Sequence, residues 1–203
     1  MKNLIQVLFI VMVITIANSA SAQNITDGLK TKSGVYMSFA DFKANKLNLE
    51  VDYTKEKHKI KINEFLNKSE IDVIHQDKKY SFKKKEVYGI RDGKGADYRF
   101  FNDLEYRILQ TDTIYIYSKN ETVKTGNSKN QRTSQVTKYF FSKSGDSELL
   151  ALTYENLKQA FPENHKMHDA LEMMFKSDSD LAEYDKFHKS FKVIRFIKGE
   201  MEH

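Results

Sequence analysis

Cysteine is missing from this chain, and proline occurs once, at Pro162. Without cysteine the fold can use neither disulfides nor thiol chemistry, and no lipid can be attached through the cysteine that a lipoprotein signal requires. Stability has to come from packing. Long apolar runs are equally scarce: Leu4 to Ile16 is the one such run, and nothing after it is long enough to span a bilayer, which takes about 20 apolar residues. Lys2 precedes that run and Ala20-Ser21-Ala22 follows it, the order of a cleavable export signal with a small-x-small cleavage site. Residues 1–22 are therefore expected to be a signal peptide, cut before Gln23. Residues 23–203 would then be an exported protein, periplasmic or secreted, with no transmembrane segment.

The ~180 residues that remain suit a single domain with a sizeable core. The net charge of +5 is modest, and cations alternate with Asp and Glu along most of the chain, as on an ordinary solvated surface. The densest cationic stretch, Lys78-Lys79 with Lys83-Lys84-Lys85, brackets Tyr80 and Phe82 at strand spacing. A half-buried strand accounts for it, and no nucleic-acid partner is expected.

Strand patterns come first and helical patterns last. Residues 34–143 hold short alternating or β-branched stretches: Val35–Phe39, Lys59–Phe65, Ile71–His75, Lys79–Lys83, Glu86–Arg91, Asp97–Asn102, Glu105–Leu109, Thr113–Ser118 and Val136–Ser142. Asp92-Gly93-Lys94-Gly95 marks a hairpin, with Gly93 expected to take the positive φ of a tight turn. Lys119 to Ser134, polar throughout, reads as a long loop. Over 149–198 the period becomes helical. Leu150, Tyr154, Leu157 and Phe161 form a stripe that Pro162 ends, and Met167, Leu171 and Met174 form a second. A third helix is expected from Ser179, with Leu181, Tyr184, Phe187, Phe191 and Ile194 on one face, although 191–197 could also be a strand. The fold class is α+β: an antiparallel β meander of about six to eight strands followed by two or three C-terminal helices.

Gly34 to Phe42, and Tyr88 to Lys94 leading into Tyr98-Arg99-Phe100-Phe101 and Ile114-Tyr115-Ile116-Tyr117, resemble uncharacterised exported bacterial proteins with a strand, an Asp-Gly-Lys turn and an aromatic strand. The resemblance implies export and the hairpin, and carries no known activity.

Gly89 to Gly95 is not a phosphate loop, since three residues rather than four separate its first glycines and Gly95 stands where Ser or Thr would meet magnesium. Asn24, Asn67 and Asn120 open glycosylation triplets that occur readily in an Asn- and Lys-rich chain. Two constellations carry chemistry. His165 and His168 would share a helix face, and His188 pairs by spacing with Asp185; converging, the four could ligate zinc for a metal-dependent hydrolase. Histidines at helix-packing seams are the plainer account. In the strand 114–117, Tyr115 and Tyr117 share a face, and with Tyr139 and Phe141 they could form an aromatic recognition surface, unless that face is core. The expected function is non-catalytic: an exported binding or envelope-associated protein whose partner is an unknown protein or cell-envelope component, with no cofactor. The hydrolase is the alternative.

Overall fold

The fold is taken from a computed structural model, which describes residues 32–52, 59–62, 69–125 and 132–201. The expected leader at 1–22 and the triplets at Asn24 and Asn67 lie outside these residues.

The chain opens with β1 (Lys32–Tyr36), α1 (Phe39–Lys43) and β2 (Asn48–Asp52). Ser38 starts α1 because its hydroxyl accepts the Asp41 backbone N–H at 3.1 Å. Next come β3 (Lys59–Ile62), β4 (Glu70–His75) and β5 (Lys78–Lys83), which form a separate three-stranded sheet, and a 3-10 turn at Lys84–Glu86. Then β6 (Gly89–Arg91), β7 (Asp97–Phe101), β8 (Leu104–Thr111), β9 (Tyr115–Thr125), β10 (Arg132–Ser142) and β11 (Leu150–Ala151) pair in sequence. With β1 and β2 beyond β6 they make an antiparallel sheet of order β11-β10-β9-β8-β7-β6-β1-β2. The helical part holds α2 (Tyr154–Ala160), α3 (His165–Met174), α4 (Asp178–Leu181), a small hairpin of β12 (Tyr184–Asp185) and β13 (Ser190–Phe191), and α5 (Lys192–Met201). This is the α+β order expected, and no described helix is long and apolar enough to cross a membrane.

Strand alternation gives the large sheet two faces, and three apolar clusters cover them. On one face, near β1, β6 and β7, the small sheet packs Ile71 and Val73 on Val35, Ile90 and Phe100. On the same face near β9 and β10, Ile114, Ile116 and Phe141 meet Leu157, Leu171, Ile194 and Ile197 of the helices. The opposite face carries Tyr106, Tyr117 and Leu149.

Three local expectations change. The polar stretch 119–134 is no loop in its described parts: β9 runs on to Thr125, and β10 starts at Arg132 and pairs with it from Arg132↔Thr125 to Ser142↔Tyr115. The seven pairs outside Ser118↔Tyr139 form a two-stranded ribbon beyond the sheet, since β8 pairs β9 only as far as Ser118. Its composition looked like loop because both faces of the ribbon are largely bathed in water. At the Asp-Gly-Lys turn the positive φ belongs to Gly95 (77°) and not Gly93. There Asp92 Oδ1 accepts the N–H groups of Lys94 and Ala96, both at 2.8 Å, so the aspartate side chain builds the turn. The third helix is cut to one turn. Asp185 accepts the backbone N–H of Phe187 at 2.9 Å and of His188 at 3.1 Å, a local bond that competes with helix and turns the chain back as the β12–β13 hairpin. Phe187 consequently lies on its tip, 88% exposed, while residues from Lys192 on are helical.

Candidate functional site

A cleft of ≈ 780 Å³ opens on the large sheet at the base of the ribbon, on the face that the small sheet and the helices cover at either end. Its floor follows from strand register. Tyr98 on β7 stands opposite Arg107 on β8, Arg107 opposite Ser118 on β9, and Ser118 opposite Tyr139 on β10. Directly opposed residues share a face, so Tyr98, Arg107, Ser118 and Tyr139 form one transverse row. Leu104, Glu105, Leu109, Lys119, Asn120, Glu121, Thr122 and Thr137 complete the lining.

Tyr139 and the residues flanking the row are anchored to the covering layers. The β8–β9 register shifts between Ile108 and Gln110, a bulge that turns both Leu109 and Gln110 toward the helical layer. The Gln110 amide donates to Ser190 Oγ at 2.9 Å and accepts the Phe191 N–H at 3.0 Å, tying β13 to β8. Tyr139 packs edge-on against Phe191, ring centroids 6.3 Å apart. Glu105 is engaged by Lys84 at 2.8 Å. The Arg107 side chain is exposed and makes no ion pair or hydrogen bond among the described residues.

Of the four aromatic residues singled out from sequence, only Tyr139 lines this cleft. Phe141 pairs with Ile116 and is fully buried under the helices. Tyr115 and Tyr117 lie on the opposite face, stacked with centroids 6.5 Å apart. That face is covered by α1 and the 143–149 turn: Phe39 meets Tyr115 at 5.9 Å and Tyr88 at 5.5 Å. Tyr117 is fully buried, its hydroxyl 2.8 Å from Ser142 Oγ and 3.2 Å from Arg99. Arg99, 4% exposed, also donates to the Ser147 carbonyl at 2.6 Å and lies within cation–π range of Tyr88, Phe101 and Tyr117. Farther along this face Tyr36 donates to Asp97 at 2.8 Å, which Arg91 also grips; burial first, and the neighbouring carboxylate second, push the Tyr36 phenol up. Tyr117, Arg99 and Tyr36 are thus packing groups, while Tyr115 is half-buried beneath Phe39.

The histidines divide into two places. His165 and His168 meet edge-to-face at 5.7 Å on α3, and His168 Nε2 lies 2.9 Å from the Phe161 carbonyl. His188 sits in the β12–β13 turn, its Nδ1 2.6 Å from Asp185 and 2.9 Å from Arg195. The Asp185 pair expected from spacing is therefore formed, in a turn instead of a helix. Among the described residues no group of three or more His, Asp or Glu side chains is placed to hold a metal ion.

Sequence reading did not propose Tyr98, Arg107, Asn120 or Thr137 as ligand-binding residues: Tyr98 appeared only in the resemblance and Asn120 only as a glycosylation triplet. Tyr98 and Arg107 lay in recognised strands, but only the hairpin register shows that they face one another. Asn120 fell inside the stretch read as loop, and Thr137 in the strand after it. Comparison with protein families, characterised proteins and solved structures finds no match to this chain.

Proposed function

We infer that this chain is a non-catalytic binding protein, exported and associated with the cell envelope, and that it takes its ligand in the cleft at the ribbon base. One observation carries the reading. Arg107 stands exposed without an acidic partner in a concave site, in line with two tyrosines. A guanidinium placed in this way is fully available to a ligand, and tyrosines supply contact area with little loss of side-chain freedom. The packing of Tyr139 on Phe191 and the anchoring of Gln110 make the floor a rigid platform on strands, which favours binding by limiting the ordering cost. The leader pattern in residues 1–22 supports the location.

Retention of the purified protein on its native envelope fraction tests this reading, with an Arg107→Ala, Tyr139→Ala double variant as the control. Retention should fall at least tenfold in the variant, which should still unfold cooperatively at a melting temperature lowered by the lost Tyr139–Phe191 packing. Equal retention of the two proteins would remove the cleft from the function. Intact-mass analysis of protein recovered outside the cytoplasm should show a chain that begins near Gln23.

A further inference from the structure

We propose that the cleft and the adjoining ribbon face bind a linear acidic oligosaccharide, with a uronate carboxylate on Arg107 and sugar rings against Tyr98 and Tyr139. This rests on the binding reading above and names the ligand class of the same site.

The row supplies complementary groups at suitable spacing. Tyr98 and Tyr139 are separated by three strand-to-strand steps, about 14 Å. That is roughly the reach of a few linked sugar rings, with Arg107 between the two aromatics. A guanidinium offers paired N–H donors that match a carboxylate's two oxygens. Each tyrosine packs part of its ring on a covering layer, Tyr98 on the small-sheet cluster and Tyr139 on the helical one, and the exposed remainder gives apolar surface for sugar C–H groups.

The ribbon extends this floor with neutral hydrogen-bonding groups. By alternation Asn120 and Thr122 of β9 and Gln135 and Thr137 of β10 continue the cleft face. Thr137 donates to Asn120 Oδ1 at 2.9 Å, which leaves the Asn120 amide N–H groups available. Gln135 donates to Thr122 Oγ1 at 2.8 Å, which leaves the Gln135 carbonyl and the Thr122 O–H available. Donors and acceptors without charge are the partners that sugar hydroxyls require.

Charge selects an acidic chain over a neutral one, and a saccharide over a nucleic acid. The described ribbon residues carry Lys119, Lys124, Arg132 and Lys138 against Glu121, so much of the chain's net +5 is gathered on this one projection. A polyanion is drawn toward it. Lys119 and Lys138, however, both reach Glu121, at 3.4 and 2.6 Å. The cleft lining itself holds Arg107 and Lys119 with Glu105 and Glu121. Lys84 engages Glu105, and Lys119 with Lys138 engages Glu121, so among the described residues Arg107 is the lining cation left without an ion pair, and Lys124 stands some 20 Å up the strand from Ser118 at ~3.3 Å per residue. A nucleic acid presents a phosphate on every nucleotide and is held by closely spaced cations. Sparse cations among hydroxyl and amide groups fit a hydroxyl-rich chain with occasional carboxylates.

Calorimetric titration of the purified protein with tetramers of galacturonate, glucuronate, mannuronate and guluronate, their methyl esters, and an eight-nucleotide oligothymidylate tests the assignment. At least one uronate tetramer should bind tenfold or more tightly than its neutral ester. Arg107→Gln should erase that difference yet retain weak binding to both forms, and Tyr98→Ala should weaken both alike. Ester and acid binding equally, tighter binding of the oligonucleotide, or no binding by any uronate would each overturn it. Should the envelope fraction still be retained through Arg107 and Tyr139 in those cases, only the saccharide assignment falls; the binding reading falls with loss of that dependence.

Discussion

Lys84, 1% exposed, places its ammonium 2.8 Å from the Glu105 carboxylate and 5.9 Å from the Phe100 ring centroid. The pair joins the end of the small sheet to β8 of the large one and so sets one end of the cleft. Removal of one partner from a buried ion pair leaves a charge without compensation, at a cost of about 3–5 kcal/mol. Glu105→Gln should therefore lower stability in urea titration by about that amount. A Lys84→Met, Glu105→Leu double variant should recover most of it, because two apolar side chains need no partner. A loss below ~1 kcal/mol in Glu105→Gln would show that the ion pair contributes little.

The Asp92–Asp97 turn distinguishes two nearby glycines. Gly95 has φ 77°, whereas a Cβ on Gly93 would meet nothing within 4 Å and its backbone is not left-handed. Gly95→Val should cost about 1–2 kcal/mol, the penalty of holding an L residue in that region, and Gly93→Ala should stay within ~0.5 kcal/mol. Thermal melts of the two variants check the assignment, and equal shifts would refute it.

Asp185 gives a pH dependence with a defined sign. Bonds from the His188 ring and then from the His188 and Phe187 N–H groups hold its carboxyl down to about 2. A lowered carboxyl contributes stability that is fully present above its unfolded value near 4 and is lost as pH falls toward 2. The melting-temperature difference between wild type and Asp185→Asn should thus be constant from pH 5 to 7 and shrink below pH 4. A difference unchanged down to pH 2.5 would mean that the turn does not depend on the ionised carboxylate.

The outer ribbon should be dispensable for folding. Residues 132–138 are exposed along the whole of β10's outer part, so removing them takes little apolar surface from the core. Replacement of residues 121–136 by Asn-Gly, closing Asn120 and Thr137 with a two-residue turn, should leave the melting temperature within about 3 °C, equivalent to ~1 kcal/mol at this size. Uronate binding should weaken severalfold in the same protein. A failure to fold would show that the ribbon is part of the core's support.

Local pattern was sufficient for the elements whose burial is one-sided. Ile114 and Ile116 alternate with Tyr115 and Tyr117 and do lie on opposite faces; Met167 and Leu171 keep helical spacing and are buried together; Pro162 separates α2 from α3. Patterning failed where a segment has no buried face or where a side chain competes with the backbone, which is why the ribbon passed for a loop and Asp185 ended a helix unannounced. The identity of the covering layer is a property of tertiary packing alone. Tyr117 became core because α1 and the 143–149 turn close over it, and Tyr98, Arg107, Ser118 and Tyr139 became one row because four strands align in register. Residues up to 41 positions apart share that row, and a periodicity measured within one strand holds no information on which residue of the next strand stands opposite.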